Sequence, residues 1–202
     1  MIYLYANATA VYLEVTPLTD EPTLMVTWFP VLTPGNCNIT YTVTWNSSNN
    51  GDEGTINTSE AYYNITDLCY YSMYEVCVTS LAEDIAAAPK CKTEKTATGI
   101  PGPPTNVLVS ASTTPESLVV EWDPPDVTNG VITNYFVTWS PDDPSEPIIT
   151  NETTYTLTGL QPCANYTISV SASTSKGSGT PSATSGTTQA VGKNFVHVIL
   201  LI

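Results

Sequence analysis

Short runs in which apolar and polar residues alternate recur along the whole chain. The segment Tyr41-Thr-Val-Thr-Trp45 places its large apolar side chains at every second position, and Tyr74-Glu-Val-Cys-Val78 does the same. A period of two is typical of strands with one buried face, and no segment shows a convincing helical period. Runs rich in Asn, Gly and Pro separate the alternating segments and are predicted to be turns. The pattern therefore predicts an all-β chain.

The landmarks of these strands occur twice, about 94 residues apart. In each half a Trp precedes a Tyr by 13 residues, and further on a Leu precedes a second Tyr by 6 residues. These landmarks are Trp28, Tyr41, Leu68 and Tyr74 in the first half and Trp122, Tyr135, Leu160 and Tyr166 in the second. A period of this length, built from short alternating strands, indicates two copies of one small β domain.

The repeat and the composition between its copies predict the domain limits. We expect a first module over residues 5–97, a Pro/Gly linker over 98–102, a second module over 103–190 and an apolar tail over 191–202. Because proline restricts its own backbone and that of the preceding residue, the linker is expected to hold the modules end to end semi-rigidly. A domain near 90 residues buries only about 60–65% of its unfolded surface, so a cross-link or glycan would add useful stability.

The charge balance argues against several classes of partner. The 202 residues include 5 Lys and Arg together and 19 acidic residues, which gives a net charge of −14. Proteins that bind nucleic acid neutralise phosphates with basic patches, so nucleic-acid binding is not expected. Anionic membrane surfaces would repel the chain for the same reason. The acidity is interpreted as a solubility feature.

Asn-x-Ser/Thr sequons and cysteines predict an extracellular chain that carries N-glycans. Seven sequons are more than chance readily produces in a chain of this composition, and most fall in predicted loops or at outward strand positions. Their asparagines are Asn7, Asn38, Asn46, Asn57, Asn64, Asn151 and Asn165.

The two ends of the chain carry separate expectations. The N-terminal residues lack a basic region and a long apolar run, so they are not a signal peptide, and the chain is expected to be a fragment. The segment Phe195–Ile202 is apolar but shorter than the about 20 residues that a membrane-spanning helix needs. A truncated transmembrane start and an effect of where the chain was cut both remain open. A C-terminal anchor is the only membrane association expected.

The second module resembles a fibronectin type III domain over its whole length. The matching features are Pro103-Pro104 at its start, Trp122, Tyr135-Phe-Val, the corner Leu160-Gln-Pro-Cys-Ala-Asn-Tyr166 and Gly177-Ser-Gly179. The first module resembles the family less closely, because it has four added cysteines and lacks the Gly-rich loop between its last two strands.

The resemblance implies two tandem immunoglobulin-like, seven-stranded β-sandwiches. It places the eight repeated landmarks in structural positions, with Trp122 and Tyr135 in the core and Tyr166 hydrogen-bonded to the corner backbone. The family serves spacing, adhesion and receptor binding in extracellular chains.

The family topology also implies alternatives for the cysteines. It places Cys77 and Cys91 on adjacent strands, where they could form a cross-strand disulfide on the outer face; pairing of Cys37 with Cys91 would instead leave Cys77 free. In the same topology Cys37 and Cys69 lie at opposite ends of the sandwich, roughly 20 Å apart, too far to bridge. Five cysteines cannot all pair internally, and Cys163 is the candidate for the odd thiol.

Catalytic, metal and cofactor sites are not expected. The one histidine, His197, lies in the tail, and no Cys-x-x-Cys pair or phosphate-binding Gly-rich loop occurs. The acidic groups Asp52-Glu53 and Asp142-Asp143 with Glu146 are interpreted as solvated turns rather than Ca²⁺ sites. Tyr70 and Tyr71 are a candidate protein interface, since tyrosine is enriched in interfaces.

The leading interpretation is a non-catalytic extracellular fragment of a single-pass cell-surface receptor or adhesion protein that binds protein partners and sets spacing. Two alternatives stay open: accessory modules in the ectodomain of a larger enzyme, such as a receptor tyrosine phosphatase or kinase, and a secreted matrix protein.

Overall fold

Two separate β-sandwiches make up the chain, and no described residue is helical. The chain divides into two compact units, Met1–Gly99 and Ile100–Ile202. The predicted limits 5–97 and 103–190 remain a prediction at the level of single residues. The structure, a computed structural model, describes residues 12–29, 39–82, 85–141 and 147–190.

The first unit consists of a three-stranded sheet and a larger sheet, both antiparallel. The smaller sheet has the order β1-β2-β5, and the larger has β4-β3-β6, with β7 and β8 both paired to β6. The strands are β1 Leu13–Pro17, β2 Leu24–Trp28, β3 Ile39–Asn46, β4 Glu53–Thr58, β5 Tyr62–Ile65, β6 Met73–Ala82, β7 Ile85–Ala86 and β8 Lys90–Lys95.

The second unit repeats this plan. Its smaller sheet has the order β13-β10-β9, and its larger sheet has β12-β11-β14, with β15 and β16 both paired to β14. The strands are β9 Thr105–Ala111, β10 Ser117–Asp123, β11 Asn134–Ser140, β12 Ile148–Thr150, β13 Thr154–Thr158, β14 Asn165–Thr174, β15 Gly177–Ser178 and β16 Ser182–Thr187.

The last strand of each sandwich is interrupted. In the first unit β7 pairs with the end of β6, at Leu81 and Ala82, while β8 pairs with its start, from Met73 to Val78. Because both segments lie along one side of β6, they form a single final strand, and the same holds for β15 and β16 beside β14. With these segments counted as one, each unit is the expected seven-stranded sandwich. The predicted fold class is confirmed.

Alternating side chains from the two sheets of each unit meet in one core. In the first unit Val15, Val26, Val43 and Val76 are fully buried, as the period of two requires. All eight repeated landmark residues are buried. The Trp28 and Tyr41 rings meet edge to face at 5.2 Å between centroids, and Trp122 and Tyr135 do so at 5.5 Å.

A tyrosine hydroxyl fixes the chain where it crosses from one sheet to the other in each sandwich. The Tyr74 hydroxyl accepts a hydrogen bond from the Cys69 backbone N–H at 3.1 Å, and the Tyr166 hydroxyl accepts one from the Gln161 N–H at 2.8 Å. Both rings are fully buried. In the first unit the Tyr74 hydroxyl also donates to the Asp52 carboxylate at 2.6 Å, which gives this corner a charged acceptor.

A threonine after the last strand closes the same corner. The Thr96 hydroxyl donates to the Cys69 carbonyl at 2.7 Å and accepts from the Ser72 N–H at 3.0 Å. The second unit repeats both bonds: the Thr188 hydroxyl donates to the Gln161 carbonyl at 2.6 Å and accepts from the Ala164 N–H at 3.0 Å. The corner between two sheets is thereby tied to the end of the final strand.

Replacing Tyr74 with Phe should destabilise the first sandwich while leaving its ring packing in place. The substitution leaves the Cys69 N–H and the Asp52 carboxylate without the hydroxyl they share. We expect the free energy of unfolding of this sandwich to fall by about 1–3 kcal/mol, measured by chemical denaturation. The control Tyr62→Phe removes an exposed hydroxyl from the same sandwich and should change stability little. Equal effects of the two substitutions would contradict the role given to Tyr74.

The first sandwich should also lose stability in alkaline solution through Tyr74. Burial, followed by the hydrogen bond to Asp52, raises the pKa of Tyr74 from 10.0 to about 12. The folded state therefore favours the protonated phenol, and this contribution is complete below pH 10 and is lost as the pH rises through 12. Unfolding free energy measured across this window should fall more steeply in the natural chain than in the Tyr74→Phe variant. Parallel curves would contradict the prediction.

Candidate functional site

The titratable side chains that the structure describes do not form a cluster that could bind a metal ion. Within the described ranges, no group of three His, Cys, Asp or Glu residues is placed to hold a metal ion. Asp52 accepts the Tyr74 hydrogen bond, so this acidic turn has a structural contact. The other acidic group, Asp142-Asp143 with Glu146, and His197 lie outside the described residues.

No helix in the described parts of the chain is long and apolar enough to cross a membrane. The apolar tail 191–202 lies outside those parts.

Cys77 and Cys91 form a disulfide on the outer face of the larger sheet in the first sandwich. They are direct cross-strand neighbours on β6 and β8, and their Cα atoms lie 4.0 Å apart. Cys77 falls between the buried Val76 and Val78, so its side chain faces away from the core. The alternative pairing of Cys37 with Cys91 is wrong in this structure because Cys91 is bonded to Cys77. Cys37 itself lies outside the described residues.

Cys69 and Cys163 are exposed free thiols at the two tyrosine corners. They do not occupy the same position: Cys69 follows the landmark Leu68 directly, whereas Cys163 comes three residues after Leu160. The residue at the position of Cys163 in the first unit is Tyr71. Cys163 and Tyr71 both have left-handed backbones, with φ of 54° and 52°.

The proposed interface residues Tyr70 and Tyr71 both contact other residues of their own unit. A Cβ atom at Gly99 would lie 2.6 Å from the Tyr70 Cγ, so the Tyr70 ring rests against a backbone that has room only for glycine. The Lys95 ammonium lies 4.0 Å from the centroid of the Tyr71 ring, in a cation–π contact. Both tyrosines are half-buried. Their role as an interface remains a prediction.

The sequon asparagines that the structure describes are all exposed, each on or beside a strand. Two of them accept a hydrogen bond through the side-chain oxygen. Asn57 Oδ1 accepts one from the Thr42 hydroxyl at 2.8 Å, and Asn165 Oδ1 accepts one from the Thr187 hydroxyl at 3.3 Å. These exposed sequon residues are Asn46, Asn57, Asn64, Asn151 and Asn165. Asn7 and Asn38 lie outside the described residues.

Each sandwich has an open groove on its surface. The groove of the first unit has a volume of about 400 Å³ and runs along β3 and β4 beside Trp45. The groove of the second unit, about 390 Å³, lies on the smaller sheet, where Asn106 donates to the Asp123 carboxylate at 2.8 Å. Their linings combine threonine, carboxylate and apolar side chains.

The smaller sheet of the first unit exposes apolar side chains on its outer face. We call this surface the outer aromatic face and define it by Tyr12, Met25, Phe29 and Tyr62. The Tyr12 and Phe29 rings contact each other at 5.4 Å. Exposed apolar side chains grouped on one face are typical of surfaces that bind another molecule. Sequence reasoning missed this face, because its residues come from three segments that meet only in the folded sheet.

Removing the disulfide should weaken the first sandwich selectively. Its closed loop has a sequence separation of 14 residues, and the chain-entropy relation gives about 3 kcal/mol for such a loop. We expect the double substitution Cys77→Ser and Cys91→Ser to lower the free energy of unfolding of the first sandwich by this amount. The free energy of unfolding of the second sandwich should not change, and calorimetry can follow both transitions. The control pair Cys69→Ser and Cys163→Ser removes exposed free thiols and should alter neither transition appreciably. A matching loss in the control would contradict the assignment.

The chain has detectable similarity to known proteins. It is 32% identical to Protein sidekick-2 of Gallus gallus over 124 residues and 32% identical to Phosphatidylinositol phosphatase PTPRQ of Rattus norvegicus over 118 residues. The Homo sapiens form of the latter is 30% identical over 118 residues. Each match covers 57% of this chain, which spans only 6% of the length of the first relative and 5% of the other two.

The family assignment follows from the sandwich architecture and from a direct match. The model of the Fibronectin type III domain matches residues 10–90 and 102–188, which lie in the two units. Both parts of the chain show the buried Trp–Tyr pair and the tyrosine corner from which the resemblance was inferred. The chain belongs to the fibronectin type III family, with one module in each half.

Proposed function

We propose that this chain is part of the extracellular region of a single-pass cell-surface receptor or adhesion protein. Its two modules bind protein partners and set the spacing between neighbouring parts of the molecule, and neither module performs catalysis. N-linked glycans cover part of their surface, and the membrane anchor lies towards the C-terminus.

The observation that carries this proposal is that a disulfide and exposed sequons occur in the same chain. Disulfides persist in oxidising compartments and are rare in the cytosol, so the Cys77–Cys91 bond favours the secretory route. N-glycosylation belongs to the same route and requires accessible asparagines, as all five described sequon residues are. The two features are independent, since one depends on strand register and the other on outward-facing strand and loop positions.

The surface chemistry supports a protein partner. The net charge of −14 disfavours phosphate-rich partners such as nucleic acid. The buried tyrosine and threonine hydroxyls of each corner are engaged in hydrogen bonds that hold the fold. What each module offers to a ligand is therefore its outer surface: loops, grooves and exposed apolar side chains, which are the means of recognition between proteins.

A second candidate function is an accessory region of a larger receptor enzyme. The similarity to Phosphatidylinositol phosphatase PTPRQ favours it, although this chain spans only 5% of that protein. In that arrangement the two modules have the same binding and spacing role, and catalysis belongs to a domain elsewhere in the whole protein.

Antibody access to cells that express the whole protein tests this proposal. An antibody raised against the two modules should label intact cells as strongly as permeabilised ones. An antibody against a cytosolic protein should label only permeabilised cells, which controls for membrane integrity. Labelling confined to permeabilised cells would overturn the extracellular assignment, and recovery of the protein from the medium alone would favour a secreted matrix protein.

Protein binding can be tested with beads that carry the two-module chain. Beads should adhere to cells of the expressing tissue and lose adhesion after those cells are treated with trypsin, because the receptor surface is a protein. Beads that carry heat-denatured chain provide the control. Adhesion that survives trypsin would contradict a protein partner.

A further inference from the structure

The outer aromatic face of the first module contains a sequon asparagine. Strand β5 carries Tyr62 and Asn64 on its outer side, because residues two apart in a strand share a face. Asn64 is the direct cross-strand partner of Met25 on β2. The Asn64 side chain therefore begins between the exposed side chains of Tyr62 and Met25.

The distances of a β-sheet bring these three side chains within reach of one sugar ring. Directly opposed residues in an antiparallel pair have Cβ atoms about 4.5–5.5 Å apart, and diagonal neighbours about 7–8 Å. Asn64 and Met25 are opposed, and Tyr62 and Met25 are diagonal. Tyr62 is 58% exposed and Met25 is 39% exposed, so both offer apolar surface to whatever is attached at Asn64.

We propose that an N-linked glycan on Asn64 covers this part of the outer aromatic face. Its first N-acetylglucosamine packs its C–H-rich side against the Tyr62 ring and the Met25 side chain. This inference rests on the proposed passage of the chain through the secretory pathway. Attachment forms a bond between Asn64 Nδ2 and C1 of the sugar, breaks the bond from that carbon to a lipid-diphosphate donor, and releases a proton from the amide.

The physical reason is the removal of apolar surface from water. Covering an exposed tyrosine ring and thioether side chain with an apolar surface lowers the free energy of the folded state. A glycan fixed at Asn64 needs no separate binding step, because the covalent bond already holds the sugar beside them. The glycan should therefore stabilise the first sandwich as well as making it more soluble.

Asn57, another described sequon residue of this module, lacks such a surface, which makes it a natural control. Asn57 lies on β4, two residues after Thr55 and opposite Thr42 on β3, and its oxygen accepts the Thr42 hydrogen bond. Asn46 is less suitable as a control, because it lines the groove beside Trp45. A glycan on Asn57 meets polar neighbours, so its loss should have little effect on folding stability.

The test compares glycan removal at Asn64 and at Asn57 in the two-module chain secreted from a eukaryotic host. We expect Asn64→Gln to lower the Tm of the first module by about 4–8 °C. Asn57→Gln should leave the Tm nearly unchanged. Thr66→Ala destroys the same sequon without altering Asn64 and should reproduce the loss, whereas Thr66→Ser keeps the sequon and should not.

The Tyr62→Thr background separates sugar packing from other effects of losing the glycan. Tyr62 is exposed and lies opposite Thr27, so a threonine suits its strand position. If the sugar packs on the ring, Asn64→Gln should lower the Tm much less in this background than in the natural one. This non-additivity measures the contact between ring and sugar.

Mass spectrometry of glycopeptides distinguishes failure of this inference from failure of the proposed function. Secreted chain with glycans at other sequons but none at Asn64 overturns the inference alone. An occupied Asn64 whose removal lowers the Tm equally in the natural and Tyr62→Thr backgrounds also overturns it, and leaves the face for a protein partner. Secreted material without a glycan at any sequon overturns the inference and removes a main support of the proposed function as well.

Discussion

A buried tyrosine hydroxyl bonded to the backbone of a sheet-to-sheet crossover is the contact on which each sandwich depends. Tyr74 and Tyr166 hold the crossover against the strand that follows it, and Thr96 and Thr188 tie that crossover to the end of the final strand. These bonds satisfy backbone groups that a turn between two sheets would otherwise bury without partners. They hold in place the crossover that joins the smaller sheet to the larger, and so help to set how the two sheets face each other across the core.

Because the two modules share this interior, their differences lie on the surface. The first module adds the Cys77–Cys91 disulfide, the Asp52 carboxylate at its corner and the outer aromatic face. All three use positions that do not contribute to the common core of alternating side chains. Specific recognition is expected on such outer positions, because residues there can differ between modules without altering the common core.

Much of the fold could be predicted, whereas the surface could be predicted only in part. The 94-residue repeat and the Trp and Tyr landmarks indicated two modules and their core, and the fold class and family are confirmed. The corner threonines Thr96 and Thr188 were missed, although each lies 24 residues after the corner residue that donates to it. That shared spacing was present in the sequence, but a lone threonine in a Thr-rich chain gives no sign of being buried.

The sequence by itself determined the alternation of strands, the repeat, the acidity and the set of cysteines and sequons. These properties are local or compositional, and each can be identified without knowing which strands are neighbours. Only the tertiary structure decided that Cys91 pairs with Cys77, that Asp52 meets Tyr74, and that Asn64 lies opposite Met25. Such contacts depend on strand register between segments distant in the chain, and a shift of one residue would turn each side chain to the other face of its sheet.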